Sequence, residues 1–349
     1  MKSTQVAIPT LVRIKPGALA RTGVYLERFH HQRIAVFPSA GLLPALVEEF
    51  RVSAREANVD VVAWTEVSDN AFENAIELFS VIPRSATAIL GLGGGKALDV
   101  AKYVAFLAKL PYFAVPTSLS NDGFCSPQAS LTMHGKRRSL AAAMPFGVVV
   151  DTAVCAAAPK QLLLSGVGDL AAKFTAIFDW KLAFHAGQET VDDFAAMLSD
   201  GAVHSFLARS QLDAESIRLL AMSLLMNGIA MEVCGSSRPA SGSEHLISHA
   251  LDESSARPRL HGLQVGVATY LVSLVQRHQS DVIAELFKQT GFWDAIATDP
   301  FSRSEWLTAI HRAPSLKENF FTILSRPETL RELEAALHSD PWLARCFRD

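Results

Sequence analysis

The chain has 349 residues, of which 49% are hydrophobic and 19% are charged. This composition is sufficient to bury the cores of two ordinary domains and excludes a disordered chain. The net charge of -3 provides no field that would favour nucleic acid or an anionic membrane surface, so neither partner is expected.

Short β-branched runs alternate with helical patterns in the first half of the chain. The predicted strands are 33–37, 60–64, 86–92 and 112–116, and the predicted helices are 42–51, 69–81 and 97–109. This alternation indicates a doubly wound parallel sheet, whose ligand crevice lies at the carboxyl ends of its strands. A hairpin with a turn at 134–136 and a last strand at 148–150 should complete this part.

From Pro159 onward the apolar periodicity becomes helical and few strand signals remain. The longest helical patterns are 162–185, 191–207, 214–234 and 262–277. We therefore predict an α/β, Rossmann-like amino-terminal domain over 1–157 and an all-α carboxyl-terminal domain over 158–349.

The four cysteines are scattered without a CxxC pair, which is typical of reduced thiols in a cytoplasmic protein. The amino terminus has no sustained apolar segment, and no stretch approaches the ~20 apolar residues that span a bilayer. We therefore expect a cytoplasmic location without membrane insertion.

A glycine-rich run, GLGGGKALD at 91–99, lies between a predicted strand and a predicted helix. Successive glycines allow close approach to a diphosphate, and a helix amino terminus supplies N–H groups and a positive dipole end. The run is neither a GxGxxG motif after the first strand nor a Walker A loop. A simple tight turn remains the alternative on this motif alone.

A second group of residues has the chemistry of metal ligands. Asp169 lies in a Gly-Asp-Leu sequence, His245 and His249 are one helical turn apart, and His261 precedes Gly262. One carboxylate and two imidazoles can hold a divalent ion and leave a position open for a substrate oxygen. On the HxxxH spacing alone, a packed or exposed helix face is the favoured interpretation.

Considered together, GGGKxxD at 93–99, GDLxAK at 168–173 and HxxxH followed by His-Gly at 245–262 resemble the iron-containing alcohol dehydrogenase and dehydroquinate synthase superfamily. Three further segments resemble the glycerol-1-phosphate dehydrogenases within it, particularly their bacterial branch. These segments are 116–123, 179–183 and 237–245. The resemblance implies a dehydroquinate synthase-like fold, with a nicotinamide cofactor-binding domain followed by a metal- and substrate-binding domain.

The resemblance also implies roles for individual residues. The metal ligands would be Asp169, His245 and His261. The catalytic residues would be His249, as a proton carrier, and Asp122, facing the substrate. The substrate phosphate would be bound by Arg238, with Lys173 as a helper. The cofactor-binding residues would be Gly93, Gly94, Gly95, Lys96, Asp99, Thr117, Ser118 and Ser126.

The implied activity is the interconversion of dihydroxyacetone phosphate and sn-glycerol 1-phosphate by a homo-oligomer, dimer or larger. The cofactors would be NAD(H) or NADP(H), because no acidic residue follows the first predicted strand, and one zinc, nickel or ferrous ion. Two alternatives stay open: a polyol or alcohol dehydrogenase of the same superfamily, and a dehydroquinate synthase-like cyclase.

Overall fold

The structure is a computed structural model that describes residues 6–348. The chain forms two compact units, of which the first ends at Ala158 and the second begins at Pro159.

The first unit contains a parallel sheet with a separate hairpin. Its strands are β1 (Leu11–Lys15), β2 (Arg33–Pro38), β3 (Asp60–Trp64), β4 (Ala88–Gly93), β5 (Tyr112–Pro116), β6 (Gln128–Met133), β7 (Lys136–Ala141) and β8 (Gly147–Asp151). Its α-helices are α1 (Thr22–Arg28), α2 (Pro44–Glu56), α3 (Phe72–Ser80), α4 (Gly95–Ala108) and α5 (Thr152–Ala157). Short 3-10 helices occur at Leu19–Arg21 and Asp122–Cys125.

Six strands pair in parallel in the order β1-β8-β5-β4-β2-β3. The chain adds β3 on one side of β2 and then crosses to β4 on the other side, so the order reverses between β2 and β4. In open α/β sheets, ligands bind at the carboxyl ends of the strands beside such a reversal. The predicted α/β fold is confirmed.

The sheet contains one strand that the sequence analysis did not predict. β1 pairs in parallel with β8, from Leu11 opposite Gly147 to Lys15 opposite Asp151. Its five residues form the edge of the sheet and depend on a partner far along the chain, so local periodicity gave too weak a signal. The predicted hairpin is confirmed, since β6 and β7 are antiparallel and His134 and Gly135 form its turn with positive φ angles of 50° and 73°.

The second unit is helical, as predicted, apart from one pair of two-residue strands. Its helices are α6 (Lys160–His185), α7 (Asp193–Leu207), α8 (Ala214–Cys234), α9 (Ser243–Ser254), α10 (His261–Gln276), α11 (Ser280–Thr290), α12 (Phe292–Thr298), α13 (Arg303–Arg312), α14 (Pro327–Ser339) and α15 (Pro341–Ala344). The short strands are β9 (Phe301–Ser302) and β10 (Phe347–Arg348), and 3-10 helices occur at Ala313–Ser315 and Ile323–Ser325.

Helix α6 is the core of this unit, and α10 packs closely against it. A Cβ atom on Gly168 would lie 2.0 Å from the carbonyl oxygen of Gly262, and one on Gly262 would lie 1.8 Å from that of Ser165. These distances are far below van der Waals contact, so only glycine allows the two helices to approach this closely. This contact brings Asp169, which follows Gly168, close to His261, which precedes Gly262.

Contrary to the sequence analysis, two helices within residues 6–348 are long and apolar enough to span a membrane by length and composition. They are Lys160–His185 and Ala214–Cys234, and 83% and 56% of their most apolar windows are buried inside the structure. Core helices of soluble proteins pass the same test, so they are weak evidence for a membrane span. The absence of membrane insertion stays a prediction.

Candidate active site

The glycine loop lies at the carboxyl end of β4, beside the reversal in strand order. Gly93 has a φ of +133°, and a Cβ atom there would lie 2.2 Å from the Ser39 hydroxyl oxygen. Gly94 precedes α4, and a Cβ atom on Gly95 would meet nothing within 4 Å. The loop thus presents open backbone at the amino terminus of a 14-residue helix, which is suited to a diphosphate.

Ser39 connects this loop to the end of β2. Its hydroxyl oxygen accepts a hydrogen bond from the Gly94 N–H at 2.9 Å, and its own N–H donates to the Leu92 carbonyl at 2.8 Å. Because the Gly94 N–H is already bonded, the N–H groups of Gly95 and Lys96 are the better candidates to receive a ligand. The Lys96 side chain is exposed on the first turn of α4.

The other predicted cofactor residues follow β5 or lie on α4. The Thr117 N–H donates to the Gly93 carbonyl at 3.0 Å, so Thr117 and the half-buried Ser118 lie next to the glycine loop. Ser126 is buried, and its hydroxyl donates to the Gln128 carbonyl at 2.9 Å. Asp122, which begins the 3-10 helix after β5, is half-buried.

Burial raises the pKa of Asp99, although the Lys102 ammonium, 3.4 Å from its carboxylate, acts in the opposite direction. Burial also raises the pKa of the neighbouring Cys125 thiol to about 12. Cys125 is therefore a protonated thiol at neutral pH, as expected for a small buried side chain and not for a nucleophile.

The second unit brings the three predicted metal ligands together. Asp169 lies on α6, His245 on α9 and His261 at the start of α10, and one ligand atom from each lies within 4.8 Å of the others. The Asp169 Oδ1 atom is 3.5 Å from His245 Nε2 and 3.9 Å from His261 Nε2. The close packing of α6 and α10 at Gly168 and Gly262 is what juxtaposes Asp169 with His261.

Each imidazole is held by its other ring nitrogen. The Nδ1 atom of His245 lies 2.8 Å from Glu244 Oε1, and the Nδ1 atom of His261 lies 3.2 Å from Ser248 Oγ. Glu244 is fully buried and also accepts hydrogen bonds from the Gly242 N–H and the Thr175 hydroxyl. These contacts orient both Nε2 atoms towards Asp169, as the hydrogen-bond partners of metal-binding histidines do.

The electrostatics of the cluster favour a cation. Burial raises the pKa of Asp169, but the charge of Lys173 and the hydrogen bond with His245 outweigh burial and bring the pKa below its usual range. Burial lowers the pKa of His245, yet hydrogen bonds to Asp169 and Glu244 raise it to about 9. The Asp169 carboxylate is therefore ionised at neutral pH, whereas the His245 imidazole is protonated as long as no metal is bound. A divalent ion would take the place of that proton, because a metal binds the neutral imidazole, and the donor set of one carboxylate and two imidazoles fits such an ion.

The third predicted imidazole lies beside the ligands. The His249 ring stacks on the His261 ring with centroids 5.7 Å apart, and its centroid is 6.3 Å from that of His245. This position is compatible with a proton-carrying role of His249, which stays a prediction.

The two residues predicted to bind the substrate phosphate have clear protein partners. Arg238 is buried, forms an ion pair with Glu189 at 2.5 Å, and donates to the Phe321 carbonyl at 2.7 Å. Its Nη2 atom is buried and has no hydrogen-bond partner within residues 6–348. Lys173 is also buried and donates to the Ala240 carbonyl at 3.2 Å. Their phosphate-binding role stays a prediction.

The structure adds residues that the sequence analysis missed. Glu244 and Ser248 orient the ligands, Ser39 supports the glycine loop, and Asp179 accepts N–H groups from Ser243 and from distant segments. The position of Glu244 directly before His245 was a usable signal, because carboxylates often partner metal-binding histidines.

Comparisons with known proteins agree with this architecture. Residues 13–159 match the iron-containing alcohol dehydrogenase family. A glycerol dehydrogenase structure from Schizosaccharomyces pombe superimposes with a TM-score of 0.76 at 16% identity, over 99% of this chain and 93% of that one. A probable glycerol dehydrogenase from Sinorhizobium meliloti gives 0.75 at 18% identity, over 97% of both chains. At these identities the likeness shows the fold alone, which this chain shares with the glycerol dehydrogenases.

The sequence relatives are more specific. A glycerol-1-phosphate dehydrogenase [NAD(P)+] from Methanosarcina mazei is 36% identical over 276 residues, which cover 78% of this chain and 76% of that protein. A protein of the same name from Methanothermobacter thermautotrophicus is 33% identical over 340 residues, covering 95% and 96%. The chain belongs to the glycerol-1-phosphate dehydrogenase family.

Proposed function

We propose that this protein is an NAD(P)-dependent, metal-dependent dehydrogenase that interconverts dihydroxyacetone phosphate and sn-glycerol 1-phosphate. The observation that carries the proposal is the buried cluster of Asp169, His245 and His261, with both imidazoles anchored so that their Nε2 atoms face one carboxylate. The glycine loop in the first unit, and relatives that carry this activity in their names, support the nicotinamide cofactor and the substrate.

The metal ion, when bound by Asp169, His245 and His261, supplies Lewis acidity towards the substrate carbonyl or hydroxyl oxygen. The nicotinamide cofactor supplies or accepts the hydride. We assign the diphosphate of that cofactor to the backbone of Gly93–Lys96 and the amino terminus of α4. The first unit is thus proposed as the cofactor-binding domain and the second as the metal- and substrate-binding domain.

Residues around the metal ligands perform two tasks in this scheme. Glu244 and Ser248 hold the imidazoles of His245 and His261, so the ligand atoms are oriented before the substrate arrives. His249 carries the proton to or from the substrate oxygen, because an imidazole titrates near neutral pH.

Asp122 faces the substrate. The phosphate group of the substrate requires a positively charged side chain as its partner. We assign that cation to Arg238, whose buried Nη2 atom has a hydrogen bond to give and no partner among the described residues. Lys173 contributes positive charge one helical turn after Asp169. A cytoplasmic location and a homo-oligomeric assembly, dimer or larger, complete the proposal.

The decisive experiment follows nicotinamide absorbance with metal-stripped protein. Zinc, nickel or ferrous iron is added back singly, with dihydroxyacetone phosphate and either NADH or NADPH. We expect activity only with a metal and net oxidation of the cofactor. A cyclase would regenerate its cofactor and give no net change.

Two substrate controls sharpen the result. In the reverse direction, sn-glycerol 1-phosphate should be oxidised and sn-glycerol 3-phosphate should not. Unphosphorylated dihydroxyacetone should be a much poorer substrate, and equal activity with it would replace the proposal by a polyol dehydrogenase. Metal-independent activity would refute the role of Asp169, His245 and His261.

A further inference from the structure

Helix α4 carries a fully buried positive charge that the proposed mechanism does not use. Lys102 has no exposed surface. Its ammonium donates to the Gly123 carbonyl at 2.5 Å and the Gln128 carbonyl at 2.7 Å. Asp99 Oδ1 and Ser126 Oγ each lie 3.4 Å from the same nitrogen.

These contacts use the whole donor capacity of an ammonium, which has three N–H groups. Two of them make the short bonds to main-chain carbonyls, and Asp99 and Ser126 share the third. Asp99 is the ion-pair partner of Lys102, at 3.4 Å, and burial raises the pKa of its carboxyl. A buried charge is tolerated only where its hydrogen bonds are satisfied, and here most of them go to backbone oxygens.

The two carbonyls lie on either side of Ser126, in the segment between β5 and the start of β6. This segment, 122–128, contains Asp122, which we assign to the substrate, and Ser126, which the sequence resemblance assigns to the cofactor. Lys102 lies on the helix whose amino terminus forms the glycine loop. The Lys102 side chain therefore connects the 122–128 segment to α4, whose amino terminus we propose binds the cofactor diphosphate.

We propose that Lys102 is a positioning residue that fixes the 122–128 segment against α4 and so sets where Asp122 and Ser126 stand. The effect on turnover rests on the proposed function, whereas the effect on the segment does not. Without the Lys102 ammonium, the Gly123 and Gln128 carbonyls would lose the hydrogen bonds that they accept from it. The 122–128 segment would then be held less firmly against α4.

The test compares Lys102→Met with Tyr112→Phe as a matched control. The buried Tyr112 hydroxyl donates to the Leu98 carbonyl at 3.0 Å, so the control removes a different buried hydrogen bond to α4. Hydrogen exchange of the 122–128 amides, NAD(P)H affinity, kcat and KM are measured for both variants and the wild type. Lys102→Gln, which keeps a neutral donor, serves if the methionine variant does not fold.

We expect Lys102→Met to accelerate amide exchange in 122–128 and to lower kcat by up to about 100-fold, the loss that a misplacement near 1 Å can cause. NAD(P)H affinity should change far less, since the glycine loop keeps its backbone. Tyr112→Phe should lower thermal stability without either effect. Unchanged exchange in 122–128 would overturn the proposal, and so would a Lys102 variant that matches Tyr112→Phe in every measurement. Accelerated exchange in a protein that shows no dehydrogenase activity would instead reject the proposed function and retain the structural role.

Discussion

Replacing Glu244 with glutamine tests the metal site without removing a ligand. A glutamine has the same size, and its carbonyl oxygen can still accept the N–H groups of Gly242 and His245. The NH2 group of the glutamine would face the Thr175 hydroxyl. That hydroxyl can rotate to donate to the Ala172 carbonyl, at 3.1 Å, and its oxygen can then accept a hydrogen bond from the NH2 group. The hydrogen bonds can therefore be kept, and the main change is the loss of one buried negative charge.

The expected magnitude follows from that charge. The carboxylate raises the basicity of the His245 imidazole and fixes its ring, and the loss of such a partner weakens metal binding by about 10- to 100-fold. This range corresponds to roughly 1.4–2.8 kcal/mol of binding free energy. The dissociation constant can be measured at fixed pH by competition between metal-stripped protein and a chromophoric chelator, so the result does not depend on activity.

The matched control is Glu305→Gln. The Glu305 carboxylate accepts hydrogen bonds from the Ser255 hydroxyl and the Ala256 N–H, at the opposite end of α9 from Glu244. The control variant should bind metal as the wild type does. Equal metal affinity in Glu244→Gln and the wild type would refute the claim that this carboxylate supports the ligand.

Three further predictions concern packing, pH and the substrate phosphate. Gly262→Ala places a methyl group 1.8 Å from the Ser165 carbonyl oxygen, so it should lower thermal stability and metal affinity. Gly201→Ala, which meets nothing within 4 Å, should leave metal affinity unchanged, and equal losses of affinity would contradict the packing argument. Burial raises the pKa of Asp179 from 3.8 to about 6, so the folded state holds this proton more tightly than the unfolded state. The resulting stability is full below pH 3.8 and is lost as pH rises through 6. Between about pH 4 and pH 7, urea unfolding should show the wild type losing roughly 2 kcal/mol of stability relative to Asp179→Asn, whereas parallel stability curves would contradict the shift. Arg238→Lys keeps the positive charge but loses the planar guanidinium group, which can donate two hydrogen bonds to one phosphate. Steady-state kinetics should therefore show that the KM for dihydroxyacetone phosphate rises by about tenfold and that kcat falls by a smaller factor. An unchanged KM would exclude Arg238 from the phosphate site.

Local pattern predicted much of the fold. The helix predicted at 214–234 is observed as Ala214–Cys234, and the strand predicted at 112–116 is observed as Tyr112–Pro116. Both have strong periodicity or dense β-branched and aromatic content, which are properties of neighbouring residues. β1 was missed because its stability comes from pairing with β8, and a five-residue alternation without that partner is ambiguous.

The sequence by itself determined the alternation of strands and helices, the glycine loop before α4, and the residue types that can bind a metal. Each of these features depends on residues that are close together along the chain. Only the tertiary structure decided that Asp169 and His261 are neighbours, that Glu244 orients His245, and that Lys102 is tied to a segment beyond β5. Those contacts depend on which helix faces pack together, and the glycine contact between α6 and α10 is one such interface. The packing of distant segments is not encoded in the spacing of residues along one segment.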